Sequence, residues 1–116
     1  MRKLVLSLTV VAAVAIAAPA VHAAKPPVTI NVTISTKGVV GGVKTYDLKK
    51  GSNVLIVVRS AIGTELHLHG YDLEKAVPKG SRPVTFVFKA TLAGGFDMEL
   101  HLAGGHELKV LTLRIK

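Results

Sequence analysis

The stretch Val28-Thr29-Ile30-Asn31-Val32-Thr33-Ile34-Ser35 alternates apolar and polar side chains from end to end. Successive side chains of a β-strand point to opposite faces of a sheet, whereas a helix repeats its apolar positions every three or four residues. The alternation therefore predicts a strand with one buried face and one polar face. Because no segment downstream shows a helical period, this stretch favours an all-β fold.

The chain after this strand repeats the same period between turn signals. Asn53–Ser60 is apolar on both faces, which predicts a central strand. Further strands are predicted at residues 43–48, 65–69, 84–89, 96–101 and 111–115. About seven short strands at a spacing of roughly ten residues indicate an antiparallel β-sandwich. The one long connection, at residues 70–80, has room for a single helical turn over residues 71–77.

The N-terminal residues have the parts of an export signal. Two basic residues precede an apolar run at residues 4–18, and small residues offer a cleavage site after Ala23 or after Ala20. The run has about 15 residues, whereas a membrane-spanning helix needs about 20. We therefore predict a removable secretory signal peptide at residues 1–23 and one domain at residues 24–116. The mature protein is expected to be periplasmic or secreted, without stable membrane insertion.

The composition excludes several function classes. Lys and Arg number 15 against 7 Asp and Glu, but aromatic residues make up only 4% and the lysines are scattered, so we exclude nucleic-acid binding. The chain has no cysteine, which rules out disulfides, iron–sulfur clusters, thiol nucleophiles and copper–thiolate bonds. It also has no Gly-x-Ser-x-Gly elbow and no phosphate-binding glycine loop, and we predict that the protein is not an enzyme.

The residues that carry metal chemistry fall into two similar stretches. Glu65-Leu66-His67-Leu68-His69-Gly70 and Glu99-Leu100-His101-Leu102-Ala103-Gly104-Gly105-His106 contain every histidine of the predicted mature chain. Each has Glu-x-His on one strand face and leucine on the other, so neighbouring strands would bring imidazoles and carboxylates together. Such nitrogen and oxygen ligands suit divalent copper, zinc and nickel. The predicted metal ligands are His67, His69, His101, His106 and Glu99. Glu65 and Glu99 are also candidates to accept a ring N–H from a metal-bound histidine.

Four short motifs relate the sequence to a known family. They are His67-Leu68-His69-Gly70-Tyr71-Asp72, Val77-Pro78-Lys79-Gly80, Phe86-Val87-Phe88 and Gly95-Phe96-Asp97-Met98-Glu99-Leu100-His101. On these motifs the chain resembles the small exported cupredoxin-like domains of bacteria, over nearly all of residues 28–116. The resemblance implies a Greek-key β-sandwich. It also implies a copper site between the end of a middle strand and the loop after a late strand.

The resemblance assigns roles to the histidines by position. His67 or His69 would stand for the family's first histidine ligand, His101 would stand near its cysteine, and His106 would match its second histidine. Blue-copper electron transfer needs a copper–thiolate bond, which His101 cannot supply, and no methionine follows His106. We therefore expect the fold to carry over and the redox function to be absent. Met98, the one methionine of the mature chain, is predicted to pack in the core.

Two functions remain open on the sequence alone. The first is an exported cupredoxin-like protein that binds a divalent metal for storage, delivery or sensing, with copper foremost and zinc or nickel as alternatives. The second is a metal-free, cupredoxin-shaped accessory module that binds a periplasmic or membrane partner protein. Replacing the four histidines by alanine separates the two, because only the first function depends on the imidazoles.

Overall fold

The computed structural model describes residues 9–116, so the predicted signal peptide at residues 1–23 lies partly outside the described residues. Residues 9–27 form neither helix nor strand, and their large apolar side chains, such as Ile16, are exposed. Among the described residues, no helix has the length and apolar character needed to cross a membrane.

The described chain folds into nine strands and contains no helix. The strands are β1 (Val28–Ser35), β2 (Gly38–Val39), β3 (Lys44–Leu48), β4 (Asn53–Ser60), β5 (Glu65–Leu68), β6 (Leu73–Ala76), β7 (Val84–Lys89), β8 (Gly94–His101) and β9 (Glu107–Ile115). They form two sheets, ordered β2-β1-β4-β7 and β3-β9-β8-β5-β6, and the buried apolar residues of both sheets belong to one core. The predicted all-β sandwich is therefore confirmed, with β4 inside its sheet as expected.

Two strand pairs run parallel, and the prediction of an antiparallel arrangement is wrong for them. β1 pairs in parallel with β4, and β3 pairs in parallel with β9. The remaining pairs are antiparallel. Apolar and polar residues alternate in the same way whichever direction the neighbouring strand takes, so the sequence pattern identifies the buried face and leaves the direction open. Both sheets are therefore mixed.

The structure contains two short strands that the sequence pattern does not predict, β2 and β6. β6 replaces the helical turn predicted at residues 71–77, because Leu73–Ala76 pairs antiparallel with β5. β2 has only two residues and β6 reads Leu-Glu-Lys-Ala, so neither shows an apolar–polar alternation, and pairing with a neighbouring strand decides the conformation of each. β6 forms one edge of the five-stranded sheet, next to β5.

The core lies between the two sheets and is built from alternate residues of each strand. Its fully buried members include Val54, Ile56, Val58 and Phe86 from the four-stranded sheet and Leu66, Leu68, Met98, Leu100, Leu111 and Leu113 from the five-stranded sheet. The predicted core position of Met98 is confirmed. Because these residues occupy the inner faces, the outer face of the five-stranded sheet is left mainly to polar residues, while that of the four-stranded sheet also carries Leu55, Val57 and Val87.

A β-bulge in β9 keeps both halves of this strand packed on the core. The register with β8 shifts at this point, since Met98 pairs with Leu111 whereas Glu99 pairs with Lys109. Val110 is the extra residue, and it is buried together with Leu111, the next residue along the chain. An extra residue of this kind resets the alternation of a strand. The bulge therefore lets Lys109 stay on the outer face beside Glu99.

Candidate metal centre

The outer face of the five-stranded sheet carries the histidines of β5 and β8. In β5 the two leucines are fully buried, so Glu65 and His67 project to the opposite side of the sheet. In β8 the buried residues alternate in the same way with Glu99 and His101. The outward direction of these four side chains follows from the period of two that the sequence shows.

The register between strands decides which of these side chains meet. Antiparallel pairing sets His67 opposite Glu99 of β8 and, on its other side, opposite Glu74 of β6. The same register sets Glu65 opposite His101. Residues directly opposite each other have Cβ atoms about 4.5–5.5 Å apart, within reach of imidazole and carboxylate groups.

The structure brings three of the four predicted histidine ligands together. The ring centroids of His67 and His69 lie 4.1 Å apart, and those of His67 and His101 lie 6.1 Å apart. These three side chains are called the histidine cluster below. His106 is exposed in the loop between β8 and β9 and, within the described part of the chain, has no ring contact or ion pair with the cluster.

His69 is hydrogen-bonded to Glu99, the predicted carboxylate of the site. Nε2 of the ring lies 2.8 Å from Oε2 of Glu99, and this bond is the main reason why the pKa of Glu99 lies below its ordinary value of 4.5. An ionised carboxylate accepts the bond, so the ring donates Nε2–H, which leaves Nδ1 as the nitrogen that a metal would bind. Metal-bound histidines are commonly held in this way, with one nitrogen on a carboxylate and the other on the metal.

His101 lies between two carboxyl groups. Its Nδ1 is 3.3 Å from Oε1 of Glu65, and its Nε2 is 3.5 Å from Oε1 of Glu107 at the start of β9. The two carboxyl groups approach opposite ring nitrogens, so a metal bound to one nitrogen leaves the other nitrogen beside its carboxylate. Glu65 is therefore in a position to orient an imidazole, as the sequence pattern suggests.

His67 faces two carboxyl groups from the hairpin formed by β5 and β6. Its Nε2 is 3.5 Å from Oε1 of Glu74 on β6 and 3.8 Å from Oδ1 of Asp72 in the turn. These ligand atoms all lie within 4.8 Å of one another, a spacing at which three side chains can share one metal ion. The His67 side chain is only 16% exposed, so its ring is held in place by its neighbours.

The turn between β5 and β6 is tied to the end of the sandwich. The Tyr71 hydroxyl donates to the carbonyl oxygen of Leu92 and accepts from the Leu92 N–H, with both distances 3.1 Å. Gly70 has a φ of +81°, and a Cβ at this position would overlap the Phe96 ring, so the close approach requires glycine. These contacts fix the position of the turn that carries Asp72.

All seven carboxyl groups of the chain lie on the outer face of the five-stranded sheet or in its β5–β6 turn. They belong to Asp47, Glu65, Asp72, Glu74, Asp97, Glu99 and Glu107. Two are paired with cations, since Lys109 Nζ lies 2.9 Å from Asp97 Oδ2 and Arg114 Nη2 lies 2.8 Å from Asp47 Oδ2. The other five lie within 4 Å of a ring nitrogen of the histidine cluster, so negative charge gathers there in a chain whose formal charge is +8, which favours the approach of a cation.

Sequence reasoning missed Asp72, Glu74 and Glu107 as neighbours of the histidines. Glu74 becomes visible only when β6 is recognised as a strand, because the pairing with β5 places it opposite His67. The available signal is the glycine turn at Gly70 directly after the β5 pattern, which is typical of a hairpin. Glu107 follows a glycine-rich loop whose path decides that it lies opposite His101.

The pairing of Asp97 predicts a loss of stability in acid. A hydrogen bond from Thr112 and then one from Lys109 lower the pKa of Asp97 below its ordinary value of 3.8. The folded state therefore favours the ionised group, and this contribution is present above pH 3.8 and lost as the pH falls through the lowered pKa. We expect Asp97→Asn to reduce the free energy of unfolding at pH 6 and to have a smaller effect at pH 3. Urea unfolding of the wild type and of Asp97→Asn at the two pH values measures the difference in their free energies of unfolding. An equal difference at pH 6 and at pH 3 would contradict the prediction.

Comparisons with known proteins support the fold. No protein-family model and no curated protein matches this sequence. Among solved structures, the chain is similar to one described as the NMR solution structure of a copper binding protein in the apo form, with a TM-score of 0.57 and 14% sequence identity. The match covers 76% of this chain and 86% of that chain. At this level of identity the likeness shows a shared β fold.

Proposed function

We propose that this protein is an exported, cupredoxin-like Greek-key domain that binds one divalent metal ion, copper foremost, through His67, His69 and His101. Glu99 orients His69 by accepting its ring N–H, and Glu65 acts in the same way on His101. The role of the bound metal is storage, delivery or sensing, since the chain lacks the thiolate that blue-copper electron transfer requires. The proposal assigns binding and no catalytic reaction to this face.

The observation that carries the proposal is the convergence of three imidazoles on one sheet face, with ring centroids 4.1 and 6.1 Å apart. Imidazole nitrogen is a ligand for copper, zinc and nickel, and a set of nitrogen and oxygen ligands without sulfur suits Cu(II), Zn(II) or Ni(II) better than Cu(I). We name copper before zinc and nickel because divalent copper binds such ligands most tightly in the general affinity series. The copper binding of the structurally similar protein agrees with this choice.

The N-terminal residues support the proposed export. Residues 1–23 have the order of charge, apolar run and small residues that an export signal has. Residues 9–27 lie outside both sheets with exposed apolar side chains, while the buried core of the described residues 9–116 lies between residues 30 and 115. Cleavage after residue 23 would therefore leave the nine described strands and this core in place. The mature protein would then meet its metal in the periplasm or outside the cell.

The test is a titration of tag-free protein of residues 24–116 with Cu(II), Zn(II) and Ni(II). Bound metal per chain, visible absorption and electron paramagnetic resonance (EPR) are followed. We expect one Cu(II) per chain, without an intense thiolate band. Metal at 100 times its dissociation constant should raise the free energy of unfolding by about 2.7 kcal/mol, because it binds the folded state only. Absence of tight binding would contradict the metal proposal and favour the accessory-module function.

Histidine variants locate the site. We expect His67→Ala/His69→Ala/His101→Ala to weaken Cu(II) binding by at least about 100-fold, since all proposed nitrogen ligands are lost. The circular dichroism of this variant should remain that of a β-sandwich, because the core residues lie on the opposite face. His106→Ala tests the remaining predicted ligand, and from the position of this side chain we expect wild-type affinity. An equal loss of Cu(II) affinity in the triple variant and in His106→Ala would contradict a site confined to the sheet face.

A further inference from the structure

We propose that the carboxylates of Asp72 and Glu74 are ligands of the metal ion, which binds at Nε2 of His67 and joins β5 to β6. This inference rests on the proposed metal binding and adds to it the oxygen ligands of the site. Neither residue follows from the histidine pattern of the sequence. Both come from the hairpin that the tertiary pairing of β6 creates.

The distances in the hairpin fit a shared cation better than hydrogen bonds. Nε2 of His67 lies 3.5 Å from Oε1 of Glu74 and 3.8 Å from Oδ1 of Asp72. N–H···O hydrogen bonds are usually about 2.7–3.2 Å long, so neither contact is one. Two ligand atoms at about 2.1 Å from one metal lie roughly 3.4 Å apart in a tetrahedral site and roughly 3.0 Å apart at the 90° angle of a square-planar Cu(II) site. The nitrogen and the Glu74 oxygen have nearly the tetrahedral spacing, and small movements of Glu74 and Asp72 reach the square-planar one.

The other two histidines do not offer such a position. Nε2 of His69 is already hydrogen-bonded to Glu99 at 2.8 Å. The two carboxyl groups beside His101 approach different ring nitrogens, so one metal cannot meet both of them together with a single nitrogen of this ring. Among the three rings of the histidine cluster, only His67 has two carboxyl groups facing the same nitrogen. His69, whose ring centroid is 4.1 Å away, is the nearest further imidazole for that ion.

The backbone holds Asp72 where a carboxylate can reach the metal. Asp72 has a φ of 53°, a conformation in which aspartate and asparagine are among the few tolerated side chains. Its side chain is 98% exposed, so it needs no other partner and can turn toward an arriving ion. A metal held by His67, Asp72 and Glu74 would cross-link the turn and the edge strand β6 to β5. Metal binding should therefore slow amide hydrogen exchange in β6.

The test uses Asp72→Asn/Glu74→Gln in residues 24–116, titrated with Cu(II) beside the wild type. Asparagine keeps the positive φ and glutamine keeps the side-chain length, so both substitutions remove charge and little shape. We expect the Cu(II) dissociation constant to rise by at least about 10-fold. The hyperfine splitting of the Cu(II) EPR spectrum should also change, because oxygen ligands leave the ion. The control, Asp47→Lys, raises the net charge by the same two units on β3, at the opposite edge of the sheet from β6. It should stay within about threefold of wild type at 0.15 M salt, where distant charges are screened.

Three outcomes would overturn the inference, and they can be told apart. Wild-type affinity and EPR spectrum in Asp72→Asn/Glu74→Gln, with binding still lost in the triple histidine variant, would leave the proposed function standing without these ligands. An equal loss of Cu(II) affinity in the Asp47→Lys control would assign the effect to overall charge. Absence of Cu(II) binding by the wild type would remove the proposed function and this inference together.

Discussion

Phe86→Ala is expected to lower the free energy of unfolding by about 3–5 kcal/mol, enough to leave a domain of this size close to unfolding. Phe86 is the largest of the fully buried side chains and lies in β7 opposite Ile56 of β4. Truncation removes the buried ring and leaves a cavity that the surrounding strands fill only in part. Lys75 of β6 lies over the same ring, with Nζ 5.6 Å from its centroid, so the cavity borders the hairpin of the proposed metal site.

The next residue along the chain supplies the control for Phe86. Val87 points to the opposite face of β7 and is 74% exposed. Val87→Ala should therefore change the free energy of unfolding by less than about 0.5 kcal/mol, as is usual for surface substitutions. Urea unfolding followed by circular dichroism measures both variants. A decrease in the free energy of unfolding below 1 kcal/mol for Phe86→Ala, or equal decreases in Phe86→Ala and Val87→Ala, would contradict the buried position of Phe86.

Gly63→Ala is expected to lower the free energy of unfolding by about 2–5 kcal/mol, the sum of a backbone cost and a packing cost. Gly63 precedes β5 with a φ of +87°, a conformation that a residue with a Cβ adopts at a cost. A Cβ at this position would lie 2.5 Å from Cδ1 of Leu100, which is fully buried and has no room to move. The adjacent Thr64 N–H donates to the carbonyl oxygen of His101 at 2.9 Å, so the clash disturbs the junction of β5 and β8 that carries the histidine cluster.

Gly51→Ala separates the two costs. Gly51 has a φ of +91°, close to that of Gly63, but no atom lies within 4 Å of a Cβ built on it. We therefore expect Gly51→Ala to cost only the backbone term, about 1–2 kcal/mol. The effect of alanine on the unfolded chain is the same at both positions and cancels in the comparison. Urea unfolding measures both variants. Equal decreases in the free energy of unfolding for Gly63→Ala and Gly51→Ala would contradict the close contact between Gly63 and Leu100.

The faces of the strands could be predicted from the sequence because the period of a strand is local. The alternation from Val28 to Ser35 identifies the buried side of β1, and Leu66 and Leu68 identify that of β5. The outward direction of His67 follows from the same pattern. Each of these predictions needs only the residue and its neighbours in the chain, since successive side chains of a strand point to opposite sides.

The direction and neighbours of the strands could not be predicted in the same way. The parallel pairing of β1 with β4 and of β3 with β9 joins segments far apart in the chain, and nothing in a single strand encodes it. β6 shows no alternation in its four residues, Leu-Glu-Lys-Ala, and exists as a strand because β5 offers it hydrogen-bonding partners. Such pairings depend on how all the strands share one core.

The same distinction applies to the candidate site, where the directions of side chains follow from the sequence and their neighbours follow from the tertiary structure. The sequence by itself determined that the chain has no thiolate, that its carboxylates and imidazoles are available as ligands, and that His67 and His101 face away from the core. Only the tertiary structure decided their neighbours. It brought His69 to Glu99 and His67 to Asp72 and Glu74, and it left His106 outside the cluster. The direction of a side chain is a local property, whereas the distance between two side chains depends on the register of strands that meet only in the folded protein.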